Sequence, residues 1–272
     1  MASHLFFIVG FERSGTTLVA AMFDRHSQIA VPPETHFFSA FCPPARANEF
    51  GHPNQMVRYI ATLPRIRDLQ LNPDDLLRRL ENTQPTWRNL FLEVLHQYGD
   101  QCGKSSQGEK TPDHWRSVSD LLDLYPESRV LWVVRDGRDA VSSLMRMPWK
   151  RSPSIEVHAW AWRISVARMT QYEWSYPGRI LRMRFEDLVR NPEAEARRAS
   201  EFVGVDFEQR QLDPSVETHV VPDWERPWKD RVFAAPDPSR IGASRRELNS
   251  QSLGLLNSIM GRALAPLGYE VE

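Results

Sequence analysis

Residues 5–17 read LFFIVGFERSGTT and place a short apolar run directly before a loop that contains two glycines. The apolar run at 5–9 suits a strand that is buried on both faces, as in a parallel sheet. Residues from about 16 to 23 predict a helix. Glycines allow such a loop to curl round an anion, and the N–H groups at the helix N-terminus point at that anion, aided by the helix dipole. The stretch therefore predicts a strand, a phosphate-binding loop and a helix.

The same alternation of strand and helix recurs further along the chain. Residues 130–134 (VLWVV) form a second apolar run, and a helix is predicted from about 138 to 145. A third strand is predicted at 180–185, with a helix after Pro192. Short apolar strands that alternate with helices are typical of a parallel α/β sheet flanked by crossover helices. No linker or repeat divides the sequence, so we predict a single α/β domain over residues 1–272.

The composition is that of an ordinary globular protein. The 272 residues include 34 Lys and Arg against 35 Asp and Glu, which gives a formal charge of −1. Because a nucleic-acid-binding domain is usually strongly basic, we expect no nucleic-acid partner. No stretch approaches the roughly 20 apolar residues of a membrane-spanning helix. Residues 1–11 lack the basic leader of a secretory signal. We therefore expect no membrane association and a cytoplasmic location.

The phosphate-binding loop differs from that of the nucleoside triphosphatases. Their loop reads G-x-x-x-x-G-K-[ST], in which the lysine reaches the β- and γ-phosphates and the hydroxyl binds Mg²⁺. In this chain Thr16 stands at the lysine position and Thr17 keeps the hydroxyl, while the positive charge comes three places earlier, at Arg13. Two hydroxyls and one arginine suit a shorter, less charged group than a triphosphate.

This loop resembles that of the sulfotransferases that use 3′-phosphoadenosine-5′-phosphosulfate (PAPS). In that family a lysine or an arginine precedes S-G-T-T, and the arginine form is similar to the tyrosylprotein sulfotransferases and many bacterial relatives. The resemblance implies a P-loop nucleotide-hydrolase-like sulfotransferase fold. It also implies that Arg13 stabilises the leaving group and that the 5′-phosphate is held by Arg13, Ser14, Gly15, Thr16 and Thr17.

A second segment, residues 133–143 (VVRDGRDAVSS), resembles the 3′-phosphate motif of the same family. In that motif an arginine and a serine eight places later clamp the phosphate, which implies this role for Arg135 and Ser143. An arginine fork at the end of a strand beside a helix N-terminus is a good anion clamp on physical grounds. The carboxyl edge of an open α/β sheet is also where ligands bind. The alternative is an ion-pair cluster of Arg135 with Asp136 and Asp139.

Two shorter segments resemble further parts of the family pattern. Residues 184–188 (RFEDL) resemble a strand-ending Y-E-D-L segment, with Phe185 in place of the usual tyrosine. Because the hydroxyl is lost, we do not assign Phe185 as a cofactor ligand. Residues 239–245 resemble the C-terminal Arg/Lys-x-Gly loop that closes over the 3′-phosphate. This implies a role for Arg240, and a solvated basic turn is the alternative.

Sulfuryl transfer by in-line displacement needs a base for the acceptor proton and positive charge near the departing phosphate oxygen. Residues 108–115 (GEKTPDHW) resemble the E-K-T/S-P segment of the family, whose lysine faces the sulfuryl group; this implies Lys110. Residues 31–38 (VPPETHFF) resemble the E-E-T stretch of the tyrosylprotein sulfotransferases, which implies Glu34 as the base. Prolines and aromatics around Glu34 favour desolvation and hence a raised pKa.

Other candidates for the base and for the acceptor site stay open at this point. Because the cytosolic sulfotransferases use a histidine, His36 is a rival base and His114 a weaker one. Residues 214–238 are rich in proline and tryptophan, and we predict an ordered loop over the site, in which Trp224 and Trp228 wall the acceptor. Aromatic walls stack equally well on sugars, phenols and lipids.

The resemblance as a whole implies a PAPS-dependent sulfotransferase that needs no metal. Two cysteines, Cys42 and Cys102, are too few for a four-ligand zinc site, and no other spacing suggests a metal. The reaction moves a sulfuryl group to a hydroxyl, less favourably an amine, and leaves adenosine 3′,5′-bisphosphate (PAP). A small molecule, a carbohydrate or a peptide would each fit as the acceptor. The rival functions are an ATP-dependent kinase or nucleoside triphosphatase and a non-catalytic nucleotide-binding module.

Overall fold

The computed structural model describes residues 5–147 and 154–271. Residues 1–4, part of the segment expected not to be a secretory signal, lie outside the described residues. Within the two described ranges, no helix combines the length and the apolar character needed to cross a bilayer. The single domain over residues 1–272 and the cytoplasmic location stay predictions.

The described residues form one sheet of five parallel strands, in the order β2-β3-β1-β4-β5. The strands are β1 Leu5–Val9, β2 Ile29–Ala30, β3 Ser106–Lys110, β4 Arg129–Val134 and β5 Ile180–Arg184. The three predicted strands are thus confirmed, and the third ends one residue early because Phe185 begins a helix. The predicted α/β class with a parallel sheet is confirmed.

Helices cover both faces of the sheet. Alternate residues of β1 pack into different cores, with Phe7 and Val9 on one face and Phe6 and Ile8 on the other. This period of two is what a strand buried on both faces requires. The helices are α1 Thr16–Asp24, α2 Pro53–Ala61, α3 Pro64–Arg67, α4 Pro73–Glu81, α5 Trp87–Gln101, α6 Val118–Leu124, α7 Gly137–Met145, α8 Ile155–Ser175, α9 Phe185–Arg190, α10 Pro192–Val203, α11 Arg226–Lys229, α12 Ala243–Glu247 and α13 Ser250–Leu264.

Strand β3 lies outside the apolar runs that predicted the other central strands. Its sequence is SQGEK, yet all five residues are buried between β1 and β2. Buried polar groups need hydrogen-bond partners, and the two charged residues have them. The Glu109 carboxylate accepts bonds from the hydroxyls of Thr35 and Thr111, and Lys110 is paired with Glu34. A hydrophobic pattern cannot reveal such a strand, because its burial depends on partners elsewhere in the chain.

Gly10 ends β1 at a point where the backbones of β1 and β4 come very close. A Cβ atom at this position would lie 2.3 Å from the carbonyl oxygen of Val133, which cannot move without disturbing the sheet. We expect Gly10→Ala to lower the free energy of unfolding by about 2 kcal/mol, the usual cost of overpacking. Urea denaturation measures this cost.

Gly254 supplies the matched control, because it lies exposed in α13 with nothing within 4 Å of the added Cβ. There the same substitution should raise the free energy of unfolding by up to about 1 kcal/mol, since alanine favours a helix over glycine. Equal effects of the two substitutions would contradict the close approach at Gly10.

Candidate functional site

The loop between β1 and α1 is a tight turn that enters the left-handed region of backbone conformation. Two of its residues have positive φ, Arg13 at 66° and Gly15 at 103°. A Cβ atom on Gly15 would lie 2.6 Å from the ring of Phe185, so the position needs glycine for space as well as for conformation. The hydroxyl of Ser14 is buried and has no hydrogen-bond partner among the described residues. The loop therefore holds a polar group that a ligand can satisfy.

The two predicted phosphate motifs touch each other at the carboxyl edge of the sheet. Arg135 follows β4 directly, and its Nη1 donates to the carbonyl oxygen of Arg13 at 3.3 Å. The Nε of Arg13 in turn donates to the hydroxyl of Ser143 on α7, also at 3.3 Å. The structure thus brings together residues that lie more than 120 positions apart in the sequence.

Arg135 is buried among groups that fix its guanidinium in place. It lies 4.4 Å above the ring of Phe185, and its Nε has no hydrogen-bond partner among the described residues. Burial lowers the pKa of Arg135, and burial together with the charge of Arg135 lowers the pKa of Arg13. An anion between the two arginines would relieve both effects. Phe185 was not assigned as a cofactor ligand from the sequence, and the structure shows its ring packed against Gly15 and Arg135, one residue of each motif.

The acidic residues next to Arg135 serve mainly other partners. Asp136 caps α7 and binds Arg138. The carboxylate of Asp139 accepts the backbone N–H groups of Gly242 and Ser244, both at 2.8 Å, while its closest distance to Arg135 is 3.7 Å. Asp139 therefore anchors the C-terminal loop over the site.

Arg240 lies in that C-terminal loop and lines the same cavity. Its carbonyl oxygen accepts a bond from Nη2 of Arg135 at 2.8 Å, and its own guanidinium donates to Glu247 at 3.2 Å. The loop thus contacts the second phosphate motif through its backbone.

Glu34 and Lys110 form an ion pair between the phosphate loop and the rest of the cavity. Lys110 is the last residue of β3 and is fully buried. Its Nζ binds Oε1 of Glu34 and lies 3.4 Å from the hydroxyl of Thr17. Burial lowers the pKa of Lys110 to about 8, although Glu34 acts in the opposite direction.

The raised pKa expected for Glu34 is wrong. Burial does act to raise it, but Lys110, a hydrogen bond from His36 and the charge of Lys229 together hold the pKa of Glu34 well below its usual value. These partners come from separate parts of the chain, which is why flanking prolines and aromatics gave the wrong direction. Glu34 is therefore an ionised carboxylate in this arrangement.

The two histidines proposed as rival bases lie in different places. His36 lines the cavity, has a φ of 51°, and its Nε2 donates to Oε2 of Glu34 at 3.1 Å. His114 is buried, with Nδ1 2.9 Å from Glu109, and is not among the cavity-lining residues. The geometry favours Glu34 and His36 as a pair and gives His114 a structural role.

One cavity of about 890 Å³ joins the two motifs, and its lining includes Arg13, Thr16, Thr17, Glu34, His36, Arg135, Ser143 and Arg240. Trp224 and Trp228 line it, as predicted, with their rings 6.0 Å apart. The segment around them is not an irregular loop, since it contains α11 and short helical turns on either side. In the described part of the chain, no group of three His, Cys, Asp or Glu side chains could hold a metal ion.

Lys229 also lines the cavity and was not singled out from the sequence. Its Nζ binds Oε1 of Glu34 at 2.7 Å and Oε2 of Glu225 at 2.5 Å. The chain has only four lysines among its 34 basic residues, so a lysine inside a predicted site loop was a signal that could have been used.

Comparisons with known proteins identify a family for this chain. A sequence model of the sulfotransferase family matches residues 6–209. Protein-tyrosine sulfotransferase A of Caenorhabditis elegans is 24% identical over 230 residues, which cover 77% of this chain and 52% of the relative. The chain thus spans about half the length of this curated relative.

Solved structures share the fold. The sulfotransferase domain of the Synechococcus PCC 7002 olefin synthase superposes with a TM-score of 0.66 at 19% identity, covering 93% of each chain. Mouse sulfotransferase SULT7A1, solved with PAP, has a TM-score of 0.52 at 9% identity, covering 97% of this chain and 86% of its own. The sheet topology, the touching motifs and the family match lead to one conclusion: the chain belongs to the sulfotransferase family.

Proposed function

We propose that this protein transfers a sulfuryl group from PAPS to the hydroxyl, less favourably the amine, of an acceptor. The observation that carries the proposal is the contact between Arg13 and Ser143, because it joins the two phosphate motifs at one cavity. A single nucleotide with phosphates at both ends would bridge them. The mouse relative solved with PAP supports this donor, and the nematode protein-tyrosine sulfotransferase supports the reaction class.

Each phosphate motif contains a buried hydrogen-bond donor without a partner among the described residues, as a site for a doubly phosphorylated nucleotide requires. The hydroxyl of Ser14 and the Nε of Arg135 are buried donors without partners among the described residues, one in each motif. In the proposal Arg13, Ser14, Gly15, Thr16 and Thr17 hold the 5′-phosphate, and Arg135, Ser143 and Arg240 surround the 3′-phosphate. PAPS supplies the activated sulfuryl group, and PAP is the product that leaves.

The remaining residues supply the proton acceptor and the positive charge. Glu34 accepts the proton as the acceptor O–H bond breaks and the new O–S bond forms. The S–O bond to the 5′-phosphate breaks at the same time and leaves its electron pair on the phosphate oxygen. Arg13 and Lys110 stabilise the charge that develops there, in a buried site where such interactions are strong. A small molecule, a carbohydrate or a peptide would serve as the acceptor.

Lys110 gives this reaction a distinct alkaline limit. Its pKa of about 8 means that the charge is lost above this pH, so kcat/KM for the donor should fall tenfold per pH unit above about pH 8. An acceptor whose hydroxyl does not ionise in that range isolates the effect. In Lys110→Met, kcat/KM should be low at every pH, and the fall above pH 8 should be absent. A wild-type profile that stays flat to pH 10 would contradict the role of Lys110.

The stability of the protein should change in the opposite direction over the same range. The folded-state pKa of about 8 lies below the ordinary 10.5, so between these values the unfolded chain binds more protons than the folded one. The contribution of Lys110 to the free energy of unfolding therefore rises with pH there. Urea denaturation at pH 8 and at about pH 10 measures this contribution and shows whether a loss of activity above pH 8 is accompanied by a loss of fold.

The experiment that tests the function compares nucleotides and acceptors. PAP should raise the melting temperature, because a ligand at 100 times its dissociation constant adds about 2.7 kcal/mol to the free energy of unfolding. ATP with Mg²⁺ should leave the melting temperature unchanged. PAPS consumption is then measured with 2-naphthol, N-acetyltyrosinamide and methyl glucoside. Stabilisation by ATP with Mg²⁺ alone would favour a kinase or nucleoside triphosphatase. Stabilisation by PAP without transfer to any acceptor would favour a non-catalytic module.

A further inference from the structure

An unbroken series of alternating charges connects the wall of the cavity to Glu34. Arg65 donates to Oε1 of Glu225 at 2.7 Å, and Oε2 of Glu225 binds Lys229 at 2.5 Å. Lys229 binds Oε1 of Glu34 at 2.7 Å, and the same oxygen also binds Lys110. Two of the four lysines in the chain therefore meet at one carboxylate oxygen.

The hydrogen bonds of Glu34 leave its two oxygens unequal. A carboxylate oxygen has two lone pairs. Both lone pairs of Oε1 are used by the ammonium groups of Lys110 and Lys229, whereas Oε2 accepts one bond from the residues that the structure describes, that of His36. The position left for another donor is on Oε2.

We propose that Lys229 is a positioning residue which, together with Lys110, occupies Oε1 of Glu34 and so directs the acceptor hydroxyl to Oε2. This inference rests on the proposed role of Glu34 as the base. Lys229 lies one residue after Trp228, so the ion pair also ties the aromatic wall to the reacting carboxylate. The acceptor would meet a wall and a base that are held in one fixed arrangement.

The ion pairs between Lys229 and its two carboxylates are buried, so a purely structural role for them would carry a large desolvation penalty. The side chains of Lys229 and Glu225 are only 10% and 5% exposed. Buried ion pairs must overcome a large desolvation penalty, and apolar replacements of similar volume are often as stable. Lys229 is held between two carboxylates inside the cavity, at a point where its charge acts on Glu34.

The charged and polar groups that face Glu34 determine what removing Lys229 does. They are Lys110 from β3, Lys229 from α11, Arg13 from the phosphate loop, and His36 from its own segment. Without Lys229, Glu34 loses one cation, so its pKa rises. Lys110 loses a repelling neighbour and keeps Glu34, so its pKa rises as well.

The test is Lys229→Met, followed by NMR of protein labelled with ¹³C at the lysine ε-carbon. Four lysines give few signals, and single substitutions assign them. In the wild type the Lys110 signal should titrate near pH 8. In Lys229→Met its midpoint should move upward by about one pH unit. Arg226→Met is the matched control, because Arg226 begins the same helix, is exposed, pairs with Asp223 and does not line the cavity.

Kinetics distinguish positioning from mere packing. In Lys229→Met the acid limb of kcat/KM should move to higher pH, kcat should fall at least tenfold, and PAP affinity should stay at the wild-type value. Lys229→Arg should restore the acid limb. A variant whose stability falls while its acid limb and its Lys110 midpoint stay unchanged overturns the inference.

Failure of the inference and failure of the proposed function give different results. The NMR titration needs no turnover, so an unshifted Lys110 midpoint rejects the role of Lys229 even in an enzyme that transfers sulfuryl groups normally. A wild-type protein that binds PAP and uses PAPS with none of the acceptors rejects the proposed function, whatever the titration shows.

Discussion

Arg135→Ala is expected to weaken PAP binding about 1,000-fold, which corresponds to about 4 kcal/mol. The thermal stabilisation by PAP seen in the wild type should disappear at the same nucleotide concentration. Differential scanning fluorimetry over a PAP titration measures this loss. A stabilisation equal to that of the wild type would remove the assignment of the 3′-phosphate to this site.

Two contributions make this the largest expected effect on binding. The arginine fork supplies the charge opposite the phosphate in a buried site, where a charge-assisted contact is strong. The guanidinium also holds two loops in place, through the carbonyl oxygens of Arg13 and Arg240. Alanine removes the direct contact and the support of both loops.

Two control variants separate these contributions from general damage. Arg179 also donates to backbone carbonyls, including those of Tyr125 and Ser128, but it does not line the cavity. Arg179→Ala should lower the melting temperature and keep the full stabilisation by PAP. Arg135→Lys keeps the charge without the planar fork, and should recover only part of the affinity.

Glu34→Gln should lower kcat by about 1,000-fold, within the range that a general base contributes. PAP should bind no more weakly than to the wild type, because the substitution removes a negative charge near the 5′-phosphate loop. Measurement of kcat with PAPS and of PAP affinity on the same variant tests both expectations. A variant with wild-type kcat would exclude Glu34 as the base and favour His36.

The substitution also disturbs a charged cluster, so a second variant is needed. Glu34→Gln removes the carboxylate that Lys110 and Lys229 share; Lys229 keeps Glu225, whereas Lys110 loses its carboxylate partner, and removing one partner of a buried pair costs about 3–5 kcal/mol. Glu34→Asp keeps the charge and shortens the reach of the carboxylate. It should fold with higher stability than Glu34→Gln and still show a strongly reduced kcat.

Local sequence patterns were enough for strands β1, β4 and β5, for the loop after β1 and for the helices that follow these strands. The apolar run at 5–9 and the glycine at position 15 act on neighbours within a few residues, so their effect is readable from the sequence. Strand β3 was missed because its burial depends on Thr35, Glu34 and other distant partners. Phe185 was not assigned as a cofactor ligand because it lacks the tyrosine hydroxyl, and its contacts with Gly15 and Arg135 become visible only in the folded chain.

The sequence by itself determined which residues are proposed to bind the phosphates, since each motif is a short segment with its own spacing. Only the tertiary structure decided the state of Glu34. Lys110 and Lys229, which lie 76 and 195 positions away from it, set its pKa and occupy one of its oxygens. Electrostatic interactions depend on distance in space and on burial, and neither quantity is contained in the order of residues along the chain.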